Sequence, residues 1–151
     1  MSVQPERPWR VLIIEDNDAD AMLLKLAWEQ CTVVQAELSF LEDSRDAIKF
    51  LRGAEPYVRP TAPPELILLD YKMPVDGGIA LIEIKGDPDF LHIPVVVLTG
   101  SDNPRDFLDS YRRGANCCYK KPFGLNAHMK LVCEIAEHWF HKVTLPPVIN
   151  L

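Results

Sequence analysis

Three apolar runs in this chain stop abruptly at polar residues: WRVLIIED at Glu15-Asp16, ELILLD at Asp70 and IPVVVLTG at Thr99. A continuous apolar run of this length, bounded by turn signals, reads as a strand buried on both faces. Strands buried on both faces belong to a parallel sheet with helices above and below it. That requirement constrains the chain more than any other feature. It also raises a question, because a carboxylate is costly to bury and Asp70 closes one such run.

Between the runs lie segments with helical spacing. NDADAMLLKLAWEQC places Ala21, Leu24, Trp28 and Cys31 on one face. VVQAELSFLED is a second strand. SRDAIKFLRG is a short helix capped by Ser44 and stopped by Gly53. AEPYVRPTAPP, with four prolines, is a loop. GGIALIEIKGD and NPRDFLDSYRRGA are helices, NCCYK is a fifth strand, and FGLNAHMKLVCEIAEHWFHKV is one long final helix. The order is (βα)5, a doubly wound α/β parallel sheet with right-handed crossovers. Residues 1–9 are expected to be an N-terminal extension, 10–143 the domain and 144–151 a tail, with no room for a second domain.

In an open parallel α/β sheet, ligands sit beyond the carboxyl ends of the strands. Glu15, Asp16, Asp70, Thr99 and the pair Lys121-Pro122 all stand there. Asp70 is therefore expected at the mouth of a cleft. Three clustered carboxylates repel one another, so they take up protons or hold a cation. Hard oxygen donors with few protein ligands suit Mg2+. A Mg2+ beside a carboxylate, a lysine and a threonine hydroxyl is equipment for phosphoryl transfer, with Asp70 attacking phosphorus in line. Each element alone has a plainer reading. Glu15-Asp16 could serve a helix dipole, Asp70 could cap a turn, and Thr99 and Lys121 could be ordinary surface groups. Their joint placement, each at the end of its own strand, favours the site.

E-D after strand one, D-x-x-M-P after strand three, L-T after strand four and K-P-F after strand five resemble the receiver domain of two-component response regulators. The resemblance covers Arg10 to Val143. It implies a flavodoxin-like fold with strand order 2-1-3-4-5 and a phosphoacceptor at Asp70. It implies Mg2+ held by Glu15, Asp16, Asp70 and the backbone carbonyl of Lys72. Thr99 is similar to the switch hydroxyl, Lys121 to the lysine that pairs with the phosphoryl group, and Pro122 to the proline after it, often in a cis bond. Cys118 stands where the family usually has an aromatic residue, with Tyr119 one place late. Asp76 lies one position early relative to Gly78, and the loop from Gly53 to Pro64 is longer than in minimal receivers. With only TLPPVINL after the last helix, the chain resembles single-domain regulators that accompany phytochrome-type histidine kinases. A sensor histidine kinase is then the expected partner.

Other classes fit less well. A net charge of −6 argues against nucleic acid. No run approaches the ~20 apolar residues of a membrane helix, and no signal peptide opens the chain, so a cytoplasmic protein is expected. Cys31, Cys117, Cys118 and Cys133 form no C-x-x-C pair and read as reduced thiols. His92, His128, His138 and His141 show no metal-ligand spacing. A haloacid dehalogenase-type aspartyl phosphatase would need an acid where Lys72 stands. A phosphorylation-independent adaptor would not be expected to keep the whole site. In the final helix, Leu125, Met129, Val132, Ala136, Trp139 and Val143 form a stripe expected to face the sheet, flanked by Leu131, Cys133, Ile135 and Phe140. The wide apolar arc and the apolar tail predict a two-fold homodimer through Trp139, Phe140, Val143 and Leu145.

Overall fold

The computed structural model describes residues 7–58, 62–71 and 78–147. Five parallel strands form one sheet: β1 (Trp9–Ile14), β2 (Ala36–Leu41), β3 (Leu66–Asp70), β4 (Val95–Thr99) and β5 (Cys117–Lys120). Their order is β2-β1-β3-β4-β5, as expected. β3 and β4 are central and buried at every residue, which explains their unbroken apolar runs. β1 begins at Trp9, one residue before the expected domain boundary.

Side chains alternate across the pleat and build two cores. Val11, Ile13, Leu66, Leu68, Val96 and Leu98 pack with α1 (Asp18–Glu29) and α5 (Gly124–Ala136). Leu12, Ile14, Ile67, Leu69, Val95 and Val97 pack with α2 (Ala47–Arg52) and α3 (Gly78–Gly86). Each such side chain contributes about 1.5–3 kcal/mol on burial. α4 (Pro104–Arg112) differs, because Ser110 is its one buried residue.

Local chemistry fixes the helix ends. Asn17 caps α1 and Asn103 caps α4, each side chain accepting from the backbone N–H of a first-turn residue. Gly53 closes α2 in the left-handed region at φ 67°. Ser44, the expected cap of α2, is instead buried; α2 starts after Asp46 with no side-chain cap, and Asp43 caps the turn that precedes it. The chain enters through a 3₁₀ turn, Ser44–Asp46, so the Asp43 carboxylate faces the free N–H of Arg45 at 2.9 Å.

The final helix also departs from expectation. α5 ends at Ala136, and a π-helical turn, Glu137–Lys142, continues it. The buried residues are His128, Leu131, Val132, Ile135, Ala136 and Phe140, so the inward face is displaced from the expected stripe. A π turn takes more residues per turn than an α turn. Phe140, four places after Ala136, thereby stays in phase with the sheet. It stacks on Trp9 with ring centroids 4.6 Å apart and meets Trp28 edge-on at 6.3 Å. Phe140 is thus a core residue of its own chain and not an exposed interface residue. Trp139 and Leu145 are half-buried against the same core, and Val143 is half-buried.

Candidate functional site

The carboxyl ends of β1, β3, β4 and β5 bring Glu15, Asp70, Thr99 and Lys121 to one edge of the sheet. Asp70 is the last residue of β3, 6% exposed. Glu15 follows β1, is 5% exposed, and is held by its backbone N–H donating to Leu41 O at 3.0 Å. Lys121 follows β5, and its N–H donates to Thr99 O at 2.7 Å. Asp70 can end an apolar strand because it stands at the sheet edge, where its carboxylate is partnered.

The partner is Lys121. Its Nζ donates to Asp70 Oδ2, to Asp20 Oδ2 at 2.9 Å and to Glu15 Oε2 at 3.2 Å. Glu15, Asp20 and Asp70 each place a carboxylate oxygen within 4.8 Å of the others. Asp20 is the residue that sequence reasoning missed. It lies in the first turn of α1, where Asn17 Oδ1 accepts from its backbone N–H at 3.0 Å. The same turn is tied back when Asn17 N–H donates to Glu15 Oε1 at 3.1 Å. The signal in the sequence was N-D-A-D, the cap Asn17 followed by two acids in one first turn, of which the fold selects the second. Asp16 is half-buried and is not one of the three gathered acids.

Electrostatics follow from this geometry. Burial first, then the hydrogen bond and charge of Asp70, push the Glu15 carboxyl up to about 8. Burial pulls the Lys121 ammonium down, but its hydrogen bonds to Asp20 and Asp70 and the charges of Asp70 and Glu15 outweigh it, so its pKa is raised. Three oxygen donors crowded around one ammonium form a set that a hard divalent cation fits, since the fit needs only carboxylate oxygens and water. Bound Mg2+ would be held by Glu15, Asp20 and Asp70 and would supply charge neutralisation.

Thr99, fully buried at the end of β4, accepts from Ser101 N–H through Oγ1 at 3.1 Å. Cys118 packs into the second core, and its backbone N–H donates to the Tyr111 hydroxyl at 3.2 Å. Pro122 is half-buried, and the Lys121–Pro122 bond is trans; among the described residues the cis peptide is Glu55–Pro56. Lys72, Met73, Pro74 and Asp76 lie outside the described residues, and with them the carbonyl expected to reach the metal. Val148, Ile149 and Leu151 of the tail lie outside them too.

A family profile for the response regulator receiver domain matches residues 11–132. The response regulator Rcp1 of Synechocystis is 39% identical over 147 residues, 97% of this chain and 99% of that protein. The crystal structure of the phosphorylated cyanobacterial phytochrome response regulator RcpA superposes with a TM-score of 0.83 at 37% identity, covering 93% of this chain and all of that one. The Mn2+-bound form of Rcp1 superposes at 0.81 with 39% identity and covers the same shares. The bacteriophytochrome response regulator AtBRR superposes at 0.71 with 34% identity, covering 93% of this chain and 99% of that one.

Proposed function

The chain belongs to the response regulator receiver-domain family, and from that premise we propose that Asp70 takes a phosphoryl group from a sensor histidine kinase of phytochrome type. A receiver domain is a signalling module and not a catalytic family. The observation that carries the reading is the contact of Lys121 with Asp70, Asp20 and Glu15 at the strand ends.

The chemistry is a displacement at phosphorus. An Asp70 oxygen attacks in line, the bond from phosphorus to the donor imidazole breaks, and an acyl phosphate forms. Lys121 stands against Asp70 and pairs with a phosphoryl oxygen. Thr99 offers a hydroxyl from the adjacent strand end. Glu15, Asp20 and Asp70, gathered at the strand ends, form the core of the proposed Mg2+ set, and the expected Asp16 and Lys72 carbonyl would complete it. Relatives named as phytochrome response regulators support the kinase class. The reading assigns residues 10–143 to the receiver unit and places it in the cytoplasm, without nucleic acid or membrane as partner.

Acid-labile phosphate from a small acyl phosphate should appear on the protein with Mg2+ and vanish in EDTA and in Asp70→Asn. Undiminished labelling of Asp70→Asn would overturn the assignment.

We also propose a two-fold homodimer through the last helix and tail, with its contacts narrowed to the half-buried Trp139, Val143 and Leu145. Light scattering should give a dimer for the full chain and a weaker one for a chain ending at Lys142. A full chain that stays monomeric at micromolar concentration, phosphorylated or not, refutes it.

A further inference from the structure

Four free thiols are present, and their placement separates them. Cys117 and Cys118 are neighbours on β5, but Cys117 packs into the α1–α5 core and Cys118 into the α2–α3 core. Successive strand residues point to opposite faces, so these two do not meet. Cys31 and Cys133 do meet. Cys31 lies just beyond α1, where its N–H donates to Trp28 O, and Cys133 lies in the last turn of α5. Their Sγ atoms are 3.8 Å apart across the α1–α5 contact, the Cys133 thiol donating to Cys31.

We propose that Cys31 and Cys133 are an oxidisable thiol pair, which a small peroxide converts to a disulfide stapling α1 to α5. The sulfurs, already in contact at 3.8 Å, must close to roughly 2.05 Å for the bond to form. Cys133 is half-buried and Cys31 buried, so Cys133 meets the oxidant first. Its thiolate attacks one peroxide oxygen, the O–O bond breaks, and the other oxygen leaves as hydroxide and takes up a proton. The resulting sulfenic acid is attacked by Cys31 sulfur, the S–O bond breaks, and water leaves with the Cys31 proton. Two thiols are oxidised and one hydrogen peroxide is reduced to two waters. Burial, then the hydrogen bond to Cys31, raises the Cys133 thiol, so its thiolate is scarce at neutral pH and the reaction is slow there, quickening as the pH rises.

The staple joins positions 102 residues apart in sequence. Such a long loop restricts the unfolded chain strongly, so the thermal midpoint should rise, by on the order of 10 °C if the native packing is kept. It also ties together two flanks of the site, since α1 carries Asp20 and α5 begins just after Lys121. The inference does not depend on phosphorylation.

The test treats the full chain with hydrogen peroxide and then counts titratable thiols and maps non-reduced peptides. The count should fall from four to two, with the Cys31 and Cys133 peptides linked and two hydrogens lost. A thiol reductant should reverse the change. Cys133→Ser and, separately, Cys31→Ala should block the linkage, while Cys117→Ser should not. Thiols that all stay titratable, Cys133 advancing to sulfinic acid unlinked, or linkage only between chains would each overturn the proposal. A linked protein whose thermal midpoint fails to rise would overturn it as well, because the bond would then form only by distorting the helix contact.

Discussion

Glu15 and Lys121 set the behaviour of the site at the scale of single residues. A Glu15 carboxyl raised from 4.5 to about 8 means the folded protein holds a proton that the unfolded chain releases. That contribution to stability is complete below about 4.5 and is lost as pH rises through about 8. A divalent cation competes for the same oxygens, so its binding must expel the proton. Mg2+ affinity should therefore climb as pH rises toward about 8, and Mg2+ added to weakly buffered protein should acidify the solution. Calorimetric titration in buffers of different ionisation enthalpy measures that proton release. Binding that is independent of pH between about 6 and 8 would refute the coupling. Asp70 and Lys121 were legible in the sequence because each ends an apolar run and so must lie on the sheet edge. Asp20 was not, because its place depends on how the Asn17 cap folds the chain back over Glu15. No periodicity records that turn.

Between residues and the whole stands the element, and here β4 and α4 matter most. Thr99 Oγ1 accepts from Ser101 N–H, Ser101 Oγ accepts from Asn103 N–H, and Asn103 Oδ1 accepts from Arg105 N–H. These bonds run from the strand end into the α4 cap without a gap. α4 itself is the helix with the least to lose by moving, since Ser110 is its one buried residue and its hydroxyl is satisfied within the helix by Asp106 O. A phosphoryl group adds about −1.5 to −2 charge and three acceptor oxygens beside Thr99. If the Thr99 hydroxyl turns toward them, the first bond of the series is disturbed. Amide exchange from Thr99 to Arg105 should therefore change when a beryllofluoride mimic is added with Mg2+, while the interiors of β1 and β3 stay protected. Unchanged exchange in that loop, with the mimic demonstrably bound, would remove α4 from the switch. The sequence placed this helix well, because Asn103 and Pro104 mark its start. It could not show how weakly the helix is held.

For the whole molecule, the sheet was legible because a doubly covered strand leaves an unbroken apolar run, and three of five strands carry one. The long final helix was misread for a related reason. Its apolar arc is so wide that spacing alone does not fix which face turns inward. Contact with the start of the chain decides it: Trp9 of β1 offers its ring to Phe140, and the π turn keeps Phe140 in phase to meet it. The first strand and the last helical turn are thereby joined in one aromatic cluster with Trp28. The two readings of this helix predict opposite mutational outcomes. With Phe140 3% exposed, Phe140→Ala should cost about 3–5 kcal/mol, through lost burial and the cavity left behind. That is a large share of the ~5–15 kcal/mol that holds a typical domain together. Trp139 is only half-buried, so Trp139→Ala should cost less than about 2 kcal/mol, although tryptophan is the larger side chain. Urea unfolding followed by circular dichroism compares the two without depending on the tryptophan signal itself. A Trp139→Ala variant less stable than Phe140→Ala would restore the stripe read from spacing and return Phe140 to the surface.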